Sequence, residues 1–230
     1  AGVTLELHFG VRDGWLVGRP GALQRIADRL ANRPDVSVRV GSRSLGGAGT
    51  TIFDWHDDAT WESALAGVEA AYISYVPDLA MPGAPEVVGA FADRAITAGV
   101  RRLVLLSGRG EAEAQRTEGI VAESGADVTI VRCSWFAQNF SESFLAAPIL
   151  DGHVALPVDG VVEPFVDADD IADVASAALV DEGHAGQIYE LTGPRSITFA
   201  EAVTEIAHAI GRPIRYEPIT IGEFTEALAA

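Results

Sequence analysis

Apolar runs of strand length alternate with helical patterns along this chain, and that alternation is the signature of β-α-β units wound around a parallel sheet. The runs fall at 15–17, 36–40, 51–53, 70–76, 102–106 and 127–132. After the first of them, Leu23, Ile26, Ala27 and Leu30 recur at i, i+3, i+4 and i+7, the apolar face of a helix. Further helices are expected at 61–65, at 85–98, where Pro85 suits a first turn, and at 111–124. The expected fold class is α/β, with a doubly wound parallel sheet. Beyond about residue 148, shorter strands (152–156, 163–166 and 187–191) alternate with helices at 168–180 and 198–210. That stretch reads as a small α+β lobe packed over the carboxyl edge of the sheet. The chain thus divides into a core at 1–148, atypical over 1–14, and a substrate lobe at 149–230 interleaved with it. In open α/β sheets the carboxyl edge carries the ligand crevice. Here it places the site near 18–21, 41–44, 74–78, 107–110 and 134–140.

The chemistry open to that site is limited, because the chain has no lysine: all 16 of its Lys/Arg cations are arginine. A Tyr-x-x-x-Lys catalytic pair, a phosphate-loop lysine and Schiff-base catalysis are excluded, and arginine does not titrate as a base. The 33 acids against 16 arginines leave a net charge of −17, a field that repels phosphate backbones and anionic lipid. Neither nucleic acid nor a membrane surface is an expected partner. A small-molecule substrate is, and the oligomeric state, a homodimer included, stays open. The one cysteine, Cys133, sits in an apolar run and reads as a buried inert thiol. It permits no internal disulfide, which fits a reducing cytoplasm. No apolar stretch is long enough to span a bilayer, and no basic segment precedes an apolar one as in a signal peptide. The five histidines lack carboxylates at ligand spacing, so no metal site is expected.

Gly18-x-x-Gly21, between a strand and a helix, is a candidate phosphate loop, since glycine allows close backbone approach and a helix N-terminus offers unpaired N–H groups. Gln24 stands where the usual fingerprint has a third glycine, and a plain strand-turn-helix fits the segment as well. Residues 3–9 alternate apolar and polar, either as the first strand or as an extra arm that 10–14 would turn back onto 15–17. Arg43, past the second strand, stands where an arginine selects a 2′-phosphate, hence NADPH over NADH; a solvated surface arginine is the other reading. Asp54 and Trp55 are candidates to flank an adenine, or a turn with a surface aromatic. Ser107 and Gly108 lie where a nicotinamide ribose would, though any Ser-Gly turn looks the same. Asp169-Asp170 reads as helix capping rather than acid–base machinery.

Several stretches together resemble the NmrA-like family of atypical short-chain dehydrogenases/reductases, in particular its NADPH-dependent quinone oxidoreductase and azoreductase-like branch. They are Arg101-Arg-Leu-Val-Leu-Leu-Ser-Gly108, Val131-Arg-Cys-Ser-Trp-Phe-Ala-Gln-Asn-Phe140, Glu163-Pro-Phe-Val-Asp-Ala-Asp-Asp-Ile-Ala-Asp173 and Tyr189-Glu-Leu-Thr-Gly-Pro194. The likeness spans about 36–226 and implies a Rossmann-type NAD(P)-binding sheet with a small substrate lobe. It implies a catalytic asparagine in the Trp-Phe-x-x-Asn segment, here Asn139, which would hydrogen-bond a quinone oxygen as hydride arrives. Tyr75, Trp135 and Phe136 then line the substrate pocket. The family's opening glycine loop is degenerate here, with Val17 and Gln24 at key positions, and this bears on cofactor binding more than on fold.

Three functions follow as alternatives. The first is an oxidoreductase that spends NADPH on a quinone-like or other conjugated carbonyl. The second is a cofactor-free isomerase, cyclase or dehydratase, with Glu111 or Glu118 paired to Tyr72 or Tyr75. The third is a non-enzymatic NAD(P) sensor that docks on a regulatory partner.

Overall fold

The computed structural model describes residues 10–12, 15–17, 21–43 and 49–229. Strand β1 (Gly10–Arg12) pairs antiparallel with β2 (Trp15–Val17), Arg12 opposite Trp15. Residues expected as a turn therefore include a strand, because Asp13-Gly14 alone separates the two partners, a spacing and composition suited to a hairpin. The candidate strand at 3–9, Gly18 and most of the loop at 45–49 lie outside the described residues.

Helix α1 (Ala22–Ala31) leads to β3 (Val40–Ser42), which runs parallel to β4 (Thr50–Ile52). The alternating valines at 36–40 predict a strand earlier than the one that forms. Val36, Val38 and Val40 do pack on the core, but Val40 is the residue opposite Thr50, where β4 begins. Alternation reports burial, whereas a ladder needs a partner.

A short helix α2 (Trp61–Leu65) precedes β5 (Ala70–Ile73), α3 (Ala84–Thr97), β6 (Arg102–Gly108), α4 (Ala112–Ala122) and β7 (Asp127–Cys133). Small helices α5 (Asn139–Glu142) and α6 (Ala146–Asp151) follow, then β8 (His153–Leu156), β9 (Val162–Glu163) and α7 (Ala168–Val180). The chain continues through β10 (Ile188–Leu191), β11 (Ile197–Thr198), α8 (Phe199–Ile210), β12 (Arg215–Pro218) and α9 (Ile221–Ala229).

Strands β10, β7, β6 and β5 form a four-stranded parallel sheet in that order. Its central strand β6 is buried from Leu103 to Gly108, the continuous run of a strand covered on both faces. Alternate residues serve opposite faces. Tyr72, Val104, Leu106, Val131 and Cys133 pack beneath α1 and α7. Ile73, Leu103, Leu105, Val128 and Ile130 pack beneath α3 and α4. The fold is α/β and Rossmann-like, with helices on both faces of a parallel sheet.

Residues 187–191 were expected in the lobe, yet β10 completes the main sheet beside β7, with Ile188 opposite Ile130. Their short length and the change of character before them hid a strand that pairs across more than fifty residues of sequence. What remains of the lobe is α5, α6 and α8 with two small pairs, β8–β12 and β9–β11, around Phe140, Leu145, Ile149, Val154 and Phe199. Among the described residues no helix is long and apolar enough to cross a membrane, and no group of three metal-ligating side chains occurs.

Candidate active site

The carboxyl ends of β5, β6 and β7 deliver Ser74-Tyr75, Ser107-Gly108 and Ser134-Trp135 to one edge of the sheet. The N-terminus of α1 belongs to the same edge in a right-handed β-α-β winding. Its N-cap is Gly21, in the left-handed region at φ 62°, and no side chain caps the first turn. Among the described residues no side chain accepts from the leading N–H groups of α1, which suits them to another acceptor.

An ion pair crosses this helix end. Arg25, one turn into α1, donates from NH1 to Glu142 Oε2 at 3.1 Å and from NH2 to Oε1 at 2.8 Å. Its Nε donates to Asp169 of α7 at 3.1 Å. A Cβ on Gly21 would stand 1.7 Å from Arg25 NH1 and 2.3 Å from Glu142 Oε2, so a side chain there would push aside the Arg25–Glu142 contact, and the positive φ favours glycine. Hydrogen bonds from Arg29 first, and from Arg25, hold the Asp169 carboxyl below its ordinary range. The Glu142 and Asp169 bonds raise the Arg25 guanidinium further above an already high value, against the opposing effect of burial.

Asn139 opens α5. Its flanks are pinned: Trp135 N–H donates to Glu163 Oε1 at 2.9 Å, Val166 N–H to Trp135 O at 2.9 Å, and Ala137 N–H to Val166 O at 2.8 Å. Gln138 donates to Asp167 at 2.8 Å and accepts from Ala168 N–H at 2.8 Å, which fixes it on the N-terminus of α7. The half-buried Asn139 side chain has no hydrogen-bond partner among the described residues. Trp135 stands edge-to-face on Phe199 at 4.9 Å and also meets Phe144 and Phe165.

Other expected residues sit differently from their sequence reading. Trp55 is 5% exposed, within a cluster of Phe53, Trp61, Tyr75 and Phe91, so its ring is core rather than an open adenine platform. Asp54 builds the turn beside it, accepting from His56 N–H at 2.9 Å. Phe136 is buried in the core beneath α1 and α7 instead of forming a wall. Tyr75 is buried and its phenol is pushed up by desolvation. The Ser107 hydroxyl donates to Glu118, and Ser107 and Gly108 are both buried instead of lying open at the edge. Gly108 lies against Glu111, whose carboxylate would be 2.1 Å from a Cβ there. Arg43 is exposed, with no ion-pair partner among the described residues.

Of the pairs considered for redox-neutral catalysis, Tyr72 with Glu118 is held apart by the sheet. Tyr72 is wholly buried under α1 and α7, while Glu118 lies on the α4 side, held by Arg132. A cavity of about 410 Å³ between Asp35, Glu69, Arg101, Arg102 and Glu182 lies at the opposite, amino edge of the sheet, and its arginines already pair with Glu69 and Glu182. Sequence reading missed Arg25 and Glu142, which meet across 117 residues with no local signal beyond the i, i+4 spacing of Arg25 from Gly21.

No family model matches the chain. It is 31% identical to Prestalk A differentiation protein A of Dictyostelium discoideum, over 84% of this chain and 67% of that protein. It is 31% identical to NAD(P)H azoreductase of Xenophilus azovorans, over 79% of this chain and 65% of that protein. The chain thus spans about two thirds of the length of each. Its fold matches an NADPH-dependent quinone oxidoreductase from Escherichia coli, solved with NADPH, at a TM-score of 0.72 and 22% identity, covering 97% of this chain and 81% of the other.

Proposed function

The chain belongs to the NmrA-like family of atypical short-chain dehydrogenases/reductases, and on that premise we propose that it is an NADPH-dependent reductase of quinone-like or other conjugated carbonyl small molecules. One observation carries the reading: among the described residues the half-buried Asn139 amide has no partner at the start of α5, between neighbours whose polar groups are committed. A held amide can donate to an acceptor oxygen as negative charge develops on it. A reduced quinone takes its protons readily from water, so the missing lysine is no obstacle.

The residues present fit a dinucleotide. The α1 end, with no side-chain cap among the described residues, suits close approach of an anionic ligand. Gly18, Gly21 and the α1 N–H groups would hold the pyrophosphate, Arg43 the 2′-phosphate, and the Ser107-Gly108 backbone the ribose. Arg43, exposed and without an ion-pair partner among the described residues, favours NADPH over NADH. When bound, the cofactor supplies hydride. Asn139 orients the acceptor, Trp135 offers the half-buried ring of the pocket wall, and the more deeply placed Tyr75 and Phe136 hold the neighbouring loops. Holding the reactants in register is itself worth several kcal/mol.

The test is turnover of a soluble benzoquinone by the Asn139→Ala variant. We expect a loss of at least about tenfold, or about 1.4 kcal/mol, with NADPH binding retained. Unchanged turnover removes Asn139 from the mechanism.

A further inference from the structure

We propose that the Arg25–Glu142 ion pair is a positioning device that sets Asn139 relative to the nucleotide-binding helix, an inference that rests on reading Asn139 as the amide that orients the acceptor. Helix α5 is a single turn running from Asn139 to Glu142. Its two ends are about 4.5 Å apart along the axis, and Glu142 N–H donates to Gln138 O at 2.7 Å. A turn that short moves as a unit, so whatever holds Glu142 also holds Asn139.

Phe140 seats this turn in the lobe core, and two polar ties fix it further. Gln138 joins it to the N-terminus of α7, and Glu142 joins it to α1 through both carboxylate oxygens. Only the second refers Asn139 to the element that would carry the cofactor. The guanidinium is itself anchored, since Nε is held by Asp169, and its NH1 lies where a Cβ of Gly21 would stand. A planar, two-edged guanidinium of this kind transmits position as well as charge. One arginine therefore connects α1, α5 and α7 at the point where the phosphate end of a dinucleotide would enter. Hydride transfer is sensitive to placement at the ångström level, and a displacement of α5 would lower turnover without removing any group that touches substrate.

The test is a double-mutant cycle on the full chain. Glu142→Gln keeps the side chain's size and removes its charge. It is made alone and in the Asn139→Ala background, with kcat and KM measured for a soluble benzoquinone and NADPH affinity measured by calorimetry. We expect Glu142→Gln to lower kcat about fivefold while KM and NADPH affinity change less than about twofold. In the Asn139→Ala background the same substitution should have no further effect on kcat. Arg25→Lys, which keeps the charge and loses the bidentate geometry, should reproduce the kcat loss. An equal loss in both backgrounds, or no loss in the first, overturns the proposal while leaving the role of Asn139 intact. If Asn139→Ala itself leaves turnover unchanged, the reading of Asn139 falls and this proposal falls with it.

Discussion

The Arg132 guanidinium holds the Glu118 carboxylate from β7 to α4, with Nε 3.0 Å from Oε1 and NH2 on Oε2, while NH1 reaches Glu190 of β10 at 2.8 Å. Ser107 adds its hydroxyl to Glu118, so one buried carboxylate ties β6, β7 and α4 together beneath the carboxyl edge. Removing one partner of a buried pair strands the other's charge. Arg132→Met should therefore cost about 3 kcal/mol. The double variant Arg132→Met/Glu118→Leu should cost less than the single one. Urea denaturation of the parent and the two variants checks the order, and a double variant as unstable as the single one, or more so, would contradict it.

Asp169 gives the pH dependence a sign. Its folded value is depressed by Arg29 and Arg25. Such a group stabilises the fold above its unfolded value, about 3.9, and that contribution fades as pH falls through the folded value. Asp169→Asn should lower Tm at neutral pH, and the gap to the parent should close below about pH 4. A gap that persists unchanged in acid would show that the arginines do not act through the Asp169 charge.

Gly21 and Gly83 are both left-handed N-caps, at φ 62° and 88°, but only Gly21 has atoms within reach of an added Cβ. Gly83→Ala should cost about 1 kcal/mol from backbone strain alone. Gly21→Ala should cost more and should also displace the Arg25–Glu142 pair, which lowers kcat. Thermal unfolding with quinone turnover separates the two effects, and equal behaviour of the two variants would contradict the packing read at Gly21.

Much of the fold is legible in sequence because periodicity is local. The helix at 168–180 is found at the expected bounds, since Ala168, Ile171, Ala172, Ala175 and Leu179 mark one buried face behind the Asp167 cap. Strands β6 and β7 extend a residue or two past their apolar runs, to Gly108 and Cys133, because they pair with each other there. Pairings between distant segments leave no such mark. β10 joins β7, and Arg25 meets Glu142, on account of the topology and not of anything near them in sequence. Trp55 and Phe136 carry the right chemistry for a ligand wall, but large aromatics also fill cores, and here both are buried. Asn139 is singled out by the resemblance alone, since nothing in its local pattern distinguishes it from other polar residues.

Arg43 gives the specificity test. It is exposed past β3 and unpaired among the described residues, so Arg43→Ala should leave the fold unchanged. NADPH affinity should fall about tenfold or more, a loss typical of a charge-assisted phosphate contact, while NADH affinity stays level. Equal loss for both cofactors would place Arg43 elsewhere in the site.

The most direct test of the central claim is calorimetric titration of the protein with NADPH and with NADH, followed by addition of a soluble benzoquinone to the NADPH complex. The account predicts saturable binding with a dissociation constant on the order of micromolar, tighter for NADPH, and quinone-dependent oxidation of the bound cofactor. Absence of binding at millimolar concentrations of either cofactor would contradict it.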